Sequence, residues 1–337
     1  MQKYKRVTII VLILVSFYAV TAAGCLLGDD IATLREKAGG GEGGNSGKAD
    51  NSGTVPGSTL TAKLSWLESN AQSGGNYIVE VSSNENIGPA TLSYSGKTNI
   101  TIILKGVDAN RVVSLSSNGA MFTVENGVTL VLDNNITLQG RSNNAAEFVR
   151  VNEGGMLVMN AGSRITGNTN TSGIGGVYVS RGTFTMNGGT ISGNTGSNYG
   201  GGVYVNYSGI FTMNNGTISG NTAVIGGGVA SVTGTFTMNG GTISGNIAYA
   251  SASASEGSYG GGVHITGGTF IKTGGTIYGY SASDTANSNT VKNSSGAVLN
   301  NHGHAVYVSS TTRRETTAGP NVNMDSATAG TAGGWEN

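Results

Sequence analysis

Residues 182–194 read GTFTMNGGTISGN, residues 209–221 read GIFTMNNGTISGN, and residues 234–246 return to GTFTMNGGTISGN. The copies begin 27 and then 25 positions apart, and the middle one departs at only two places. A core assembled from unlike layers has no use for such repetition. A stack of like coils requires it, because each coil must offer the next one the same side chains.

The pattern extends in both directions. Leu130, Leu157, Phe184, Phe211, Phe236 and Phe270 recur in one column, and Leu138, Ile165, Ile191, Ile218, Ile243 and Ile277 in another. A third runs Phe122, Val149, Val177, Val203, Val229 and Val263, its last four members each preceded by Gly-Gly. NYIVEV and NITIILKG are degenerate first coils, and HAVYVSS is a last one. Each unit carries three apolar patches, GGVYV, TFTMN and GTISGN, too short for helices and bounded by Gly and Asn. The reading is an all-β solenoid: a single-stranded right-handed parallel β-helix of about nine coils of roughly 26 residues over 76–309. Alternation turns Val177, Val179, Phe184, Met186 and Ile191 inward and Tyr178, Thr183, Thr185 and Thr190 outward. Asn194, Asn221 and Asn246 fall at a turn, where stacked amides can bond along the column. Proline is missing between residues 90 and 319, as expected where strand N–H groups bond to the next coil.

Composition agrees. The chain has 58 glycines among 337 residues, 11% charged side chains and zero formal net charge. Low charge with abundant β-branched residues argues against disorder, and the lack of a basic cluster excludes nucleic acid as a partner.

The first 24 residues read as an export signal: Lys3, Lys5 and Arg6, then an apolar run to Val20, then small residues. Cys25 is the only cysteine and follows AAG directly. Residues 25–57 are rich in Gly, Ser and Asn and read as a tether, with a coil span of about 30 Å. In residues 58–75, Leu60, Leu64, Leu67 and Ala71 keep helical spacing between a Ser58/Thr59 cap and Gly74-Gly75. A helix there is placed to cover the apolar end of the first coil. Residues 310–337 form a C-terminal tail.

The stretch AAGC resembles the lipobox of bacterial lipoproteins, with Ala22 where Leu is usual, as in the looser spirochaete form. The units GGVYV…FTMN…GTISGN, the segment LSWLESNAQSGGNY and the tail RRETTAGPNVNMDSATAGTAGGWEN resemble spirochaete β-helix repeat lipoproteins. FTMN and GGVY are similar to the FxxN and GGA[ILV] elements of chlamydial polymorphic membrane proteins, which also carry a C-terminal barrel; nothing after residue 310 has the length for one. The resemblance implies acylation of Cys25, attachment to a membrane through that lipid, and an outer-membrane or cell-surface location.

Catalytic chemistry is hard to assemble. Sugar-cleaving β-helix enzymes cluster Asp with Lys, Arg or His, whereas no Asp lies between 134 and 283 and only Arg181, Glu256 and Lys272 are charged within 170–280. Glu147 and Glu153 read as solvated strand-edge residues. His264, His302 and His304 read as exposed histidines rather than a zinc site, since the strand offset between His264 and His304 is about 10 Å. No catalytic residue, cofactor or metal is therefore expected. The outward column Tyr178, Tyr204, His264 and Tyr307 is the candidate binding surface, against the plainer view that Tyr simply suits strands. Outward Thr-x-Thr ranks read as solvated sheet. The function expected is an exported, lipid-anchored, adhesin-like or structural module that meets a host protein or glycan. The competing expectation is a polysaccharide-active enzyme or glycan-binding module, with its site in loop 247–259 or near Arg313 and Arg314.

Overall fold

The computed structural model describes residues 52–249, 259–299 and 302–308, and the backbone of 313–315. The export signal, Cys25, most of the tether, most of loop 247–259, the Arg313 and Arg314 side chains and the rest of the tail lie outside the described residues.

The chain is a parallel β-solenoid. Its strands fall into long parallel sheets that every coil visits in turn. The phenylalanine face runs from Asn76–Val81 through Thr183–Met186 to Arg313–Glu315. The isoleucine face runs from Glu85–Ile87 through Thr190–Ser192 to Thr276–Ile277, and the valine face from Ala90–Leu92 through Val177–Ser180 to Val306–Val308. Eight strands on each of these last two faces delimit about seven full turns, a little short of the nine coils expected. Val306–Val308 is the valine-face strand of the coil opened by Thr269–Lys272, so counting HAVYVSS as a coil of its own inflated the number. From Thr169 onward a fourth, five-stranded sheet adds a short strand after each asparagine, as at Thr195–Gly196 and Ile247–Tyr249. Two-residue strands of Thr, Ala and Gly carry no hydrophobic alternation, so the sequence reads them as turn.

Register follows composition. Phe184 pairs with Phe211 and Phe211 with Phe236, while Ile191, Ile218 and Ile243 align on the isoleucine face. A one-residue slip would turn the whole inward set to solvent, so burial holds the register. The phenylalanine rings stack nearly parallel, with centroids 4.7, 4.8 and 5.0 Å apart from Phe184 to Phe270. All four are fully buried. The methionine file beside them, Met186, Met213 and Met238, ends at Lys272, which is also buried.

Asparagine forms two files of different kinds. Asn144, Asn168, Asn194, Asn221, Asn246 and Asn289 have no solvent exposure. The Asn221 Oδ1 accepts from the Asn194 backbone N–H at 3.0 Å and from its Nδ2 at 3.1 Å. The Asn221 Nδ2 donates to Asn246 Oδ1 at 3.0 Å and to the Ile191 carbonyl at 3.0 Å. These bonds satisfy backbone groups that a sharp corner would leave buried and unpaired. The second file is the N of FTMN: Asn239 donates to Asn214 at 2.9 Å, Asn214 to Asn187 at 2.9 Å, and the chain reaches Asp133 through Asn160. Its members from Asn187 onward are exposed.

Glycine does two jobs here. Gly193, Gly220 and Gly245 precede the buried asparagines with φ of 63°, 64° and 65°, the left-handed region that a side chain resists. Gly201 sits where coils touch: a Cβ there would lie 2.4 Å from the Gly227 carbonyl oxygen. The stack also absorbs insertions. From Asn246 to Asn289 is 43 residues, yet the amides still meet at 2.9 Å. The extra residues fall between Ile247–Tyr249 and Val263–Ile265 and after Thr276–Ile277, so the rung keeps its place while its connections lengthen.

At the N-terminal end the helix Leu60–Asn70 is capped by the Thr59 hydroxyl, which accepts from the Ala62 N–H at 3.2 Å. Leu60 and Leu67 are buried in the solenoid's main core, and Trp66 meets the Tyr77 ring edge-on at 6.2 Å. The Leu60 N–H donates to Glu85 at 2.7 Å, joining the first helical turn to the first strand of the isoleucine face.

Replacing Asn221 by Ala removes the acceptor of the buried Asn194 N–H and one of the bonds to the Ile191 carbonyl, so it is expected to cost about 2 kcal/mol. Asn214→Ala, in the exposed file, is expected to cost under about 1 kcal/mol. Urea unfolding followed by circular dichroism checks the contrast; equal losses would contradict the roles given to the two files.

Candidate functional site

The outward column assembles as its register requires. Arg150 pairs with Tyr178, Tyr178 with Tyr204, Tyr204 with Ala230, Ala230 with His264, and His264 with Tyr307. Its position outside the main core is as expected, but its exposure is not. Tyr178 is 8%, Tyr204 7% and His264 5% exposed, and Tyr307 is half-buried. A second file covers it. Ile174, Tyr199, Ile225, Tyr259 and His302 stand at the start of the glycine run that opens each valine strand. Tyr199 stacks on Tyr204 at 5.2 Å, and Tyr259 on Tyr307 at 4.2 Å. Burial raises the Tyr204 phenol above its usual range, with Tyr178, Tyr199 and Tyr207 reinforcing the shift. The column is thus the inner half of a two-layer wall. The signal that reveals it is the large side chain before GGGV, as in YGGGV and IGGGV, which strand alternation alone does not weigh.

Three other residues are corrected. Glu147 is not a solvated edge: it is buried and paired with Arg150, whose guanidinium lies 4.8 Å from the Tyr178 ring centre. His264 and His304 are not exposed either, at 5% and 4%. The His304 Nδ1 accepts the Val291 N–H at 3.0 Å, which places its proton on Nε2. His264 stacks on Tyr307 at 5.2 Å and its Nε2 shares a 2.7 Å hydrogen bond with the Thr266 hydroxyl. Both histidines serve packing in the last coils. Among the described residues no group of three His, Cys, Asp or Glu could hold a metal ion.

A shallow concavity, open to solvent, lies on the outer side of the isoleucine face. Its volume is about 470 Å³ and it spans four successive coils. Because Leu138, Ile165 and Ile191 point into the core, their neighbours point out. Val112, Thr137, Arg164 and Thr190 therefore form one column of its floor, with Gln139 and Thr166 beside it. Asn110, Gly162 and Gly189 line it at the preceding turn, and the Thr137 hydroxyl donates to Asn110 Oδ1 at 3.1 Å. Arg164 is the one charged residue lining the groove and is exposed. Sequence reasoning missed this site because its residues, taken singly, are ordinary outward sheet positions.

Burial lowers the His264 imidazolium pKa to about 4, a shift that the Tyr259 backbone weakly opposes. The unfolded chain, with an ordinary histidine near 6.5, takes up a proton first as pH falls. Stability is therefore whole above about pH 6.5 and declines by about 3 kcal/mol towards pH 4. His264→Phe, which keeps a ring against Tyr307, is expected to remove that part of the slope in urea midpoints measured between pH 7 and pH 4. An unchanged slope would place the proton uptake elsewhere. No protein-family model, curated protein or solved structure matches this chain.

Proposed function

We propose that the chain is an exported, lipid-anchored binding module of adhesin-like character, held at the outer membrane or cell surface through Cys25. The single observation that carries this reading is the groove on the isoleucine face: an open polar depression on a rigid stack. The stack suits the task because its ligand-facing groups sit on strands whose inward neighbours are fully buried, which fixes them without loops. Basic residues, an apolar run and AAGC at the start of the sequence support export and acylation. The repeats are those of a spirochaete-type β-helix lipoprotein, with FTMN elements like those of the chlamydial surface proteins.

Protease treatment of intact producing cells is expected to remove the protein, and metabolic labelling with a palmitate analogue is expected to mark it unless Cys25 is replaced by Ser. The released domain is expected to bind host matrix or glycan saturably without generating products. Full protection from protease overturns the surface reading, and turnover of a polysaccharide favours an enzyme.

A further inference from the structure

We infer that the groove over Val112, Thr137, Arg164 and Thr190 binds a carboxylate-bearing sugar, with Arg164 taking the carboxylate. This deepens the binding-module reading and rests on it. Arg164 projects from the centre of the groove, between Thr137 on one coil and Thr190 on the next. It makes no ion pair with any described residue, whereas Arg150 is held by Glu147 and Lys105 by Glu80. Arg111, on another strand of the same sheet, spends its Nε on the Val107 carbonyl at 2.9 Å. A guanidinium left without an anion, in a groove lined by no acidic side chain, has its fork of donors open to a planar carboxylate.

The rest of the lining selects the carrier. Thr166 and Thr190 offer hydroxyls, and Gln139 and Asn110 offer amides, while the buried Thr137 holds Asn110 in place. Such groups can donate and accept, as a ring of hydroxyls demands. They repeat along the stack about every 4.8 Å, so successive rungs meet successive parts of one saccharide. Val112 gives the floor a small apolar spot for a C–H face. A polyanion is not favoured, because nucleic acid or a heavily sulfated chain gains affinity from many cations and the groove supplies one.

The test is titration calorimetry of the full-length protein with 3′-sialyllactose, 3′-sulfolactose and lactose. Wild type is expected to bind the sialylated sugar at least about tenfold more tightly than the other two, the scale of one charge-assisted contact. Arg164→Gln is expected to bring it down to the lactose level, with the circular dichroism spectrum unchanged because the side chain is exposed. Arg181→Gln, an exposed arginine on a different face, is expected to leave it intact. Equal binding of sialylated and plain lactose, equal binding of the sulfated sugar, or a preference that survives Arg164→Gln overturns the assignment. Surface display together with matrix binding, but no affinity for any of the three sugars, also overturns it while leaving the binding-module reading in place. Full protection of the protein in intact cells would count against that broader reading.

Discussion

Backbone hydrogen bonds between one coil and the next, made in register along every face, are the constraint on which the rest of the structure depends. A strand in the middle of such a stack has a neighbour above and below, and each neighbour must place its N–H and C=O groups at one repeat distance. Any side chain that forces two coils apart breaks bonds on all faces at once. That explains why small residues crowd the corners and why Gly201 faces the Gly227 carbonyl with no room for a Cβ. It also explains the chemical monotony of the core. A phenylalanine stacks best on another phenylalanine in the same rotamer, so Phe184 to Phe270 keep one identity while the loops between them change length.

The two asparagine files show how position, not residue type, sets the worth of an interaction. Through the central coils both repeat at spacings of 27 and then 25 residues, and both bond amide to amide. In the buried file each amide also holds backbone groups that have no access to water. In the exposed file, water competes for the same atoms. The same logic separates the charged groups. Glu147 is buried and is held by Arg150, while Arg164 stands in solvent facing a groove.

The wall of aromatics over the valine face has a consequence for function. Tyrosine and histidine in a repeating outward column look like a binding strip, but here the chain folds its own second layer over them. What faces solvent is the outer file of Ile174, Tyr199, Ile225, Tyr259 and His302. The wall stiffens the solenoid, and the isoleucine face, with no covering layer described, is left as the place where polar side chains line a hollow. Where the covering file contains Ile225, the inner column narrows to Ala230, so both layers thin at that coil.

Spacing alone determined a great deal: the solenoid, the identity of its three main faces, the inward residues, the asparagine file at the turn and the helix at the first coil. It could do so because stacking in register maps a linear period directly onto a lattice, leaving little for long-range packing to choose. The number of full turns, the short fourth sheet and the burial of Tyr178, His264 and Glu147 were decided only by tertiary structure. Each depends on where a connecting segment travels between strands; segments such as SNYGGG or NTSGIGG repeat a large residue before glycine, but strand alternation does not say which way it turns. The groove belongs to the same class. Its lining comes from four successive coils, and their shared hollow exists only once the coils are stacked.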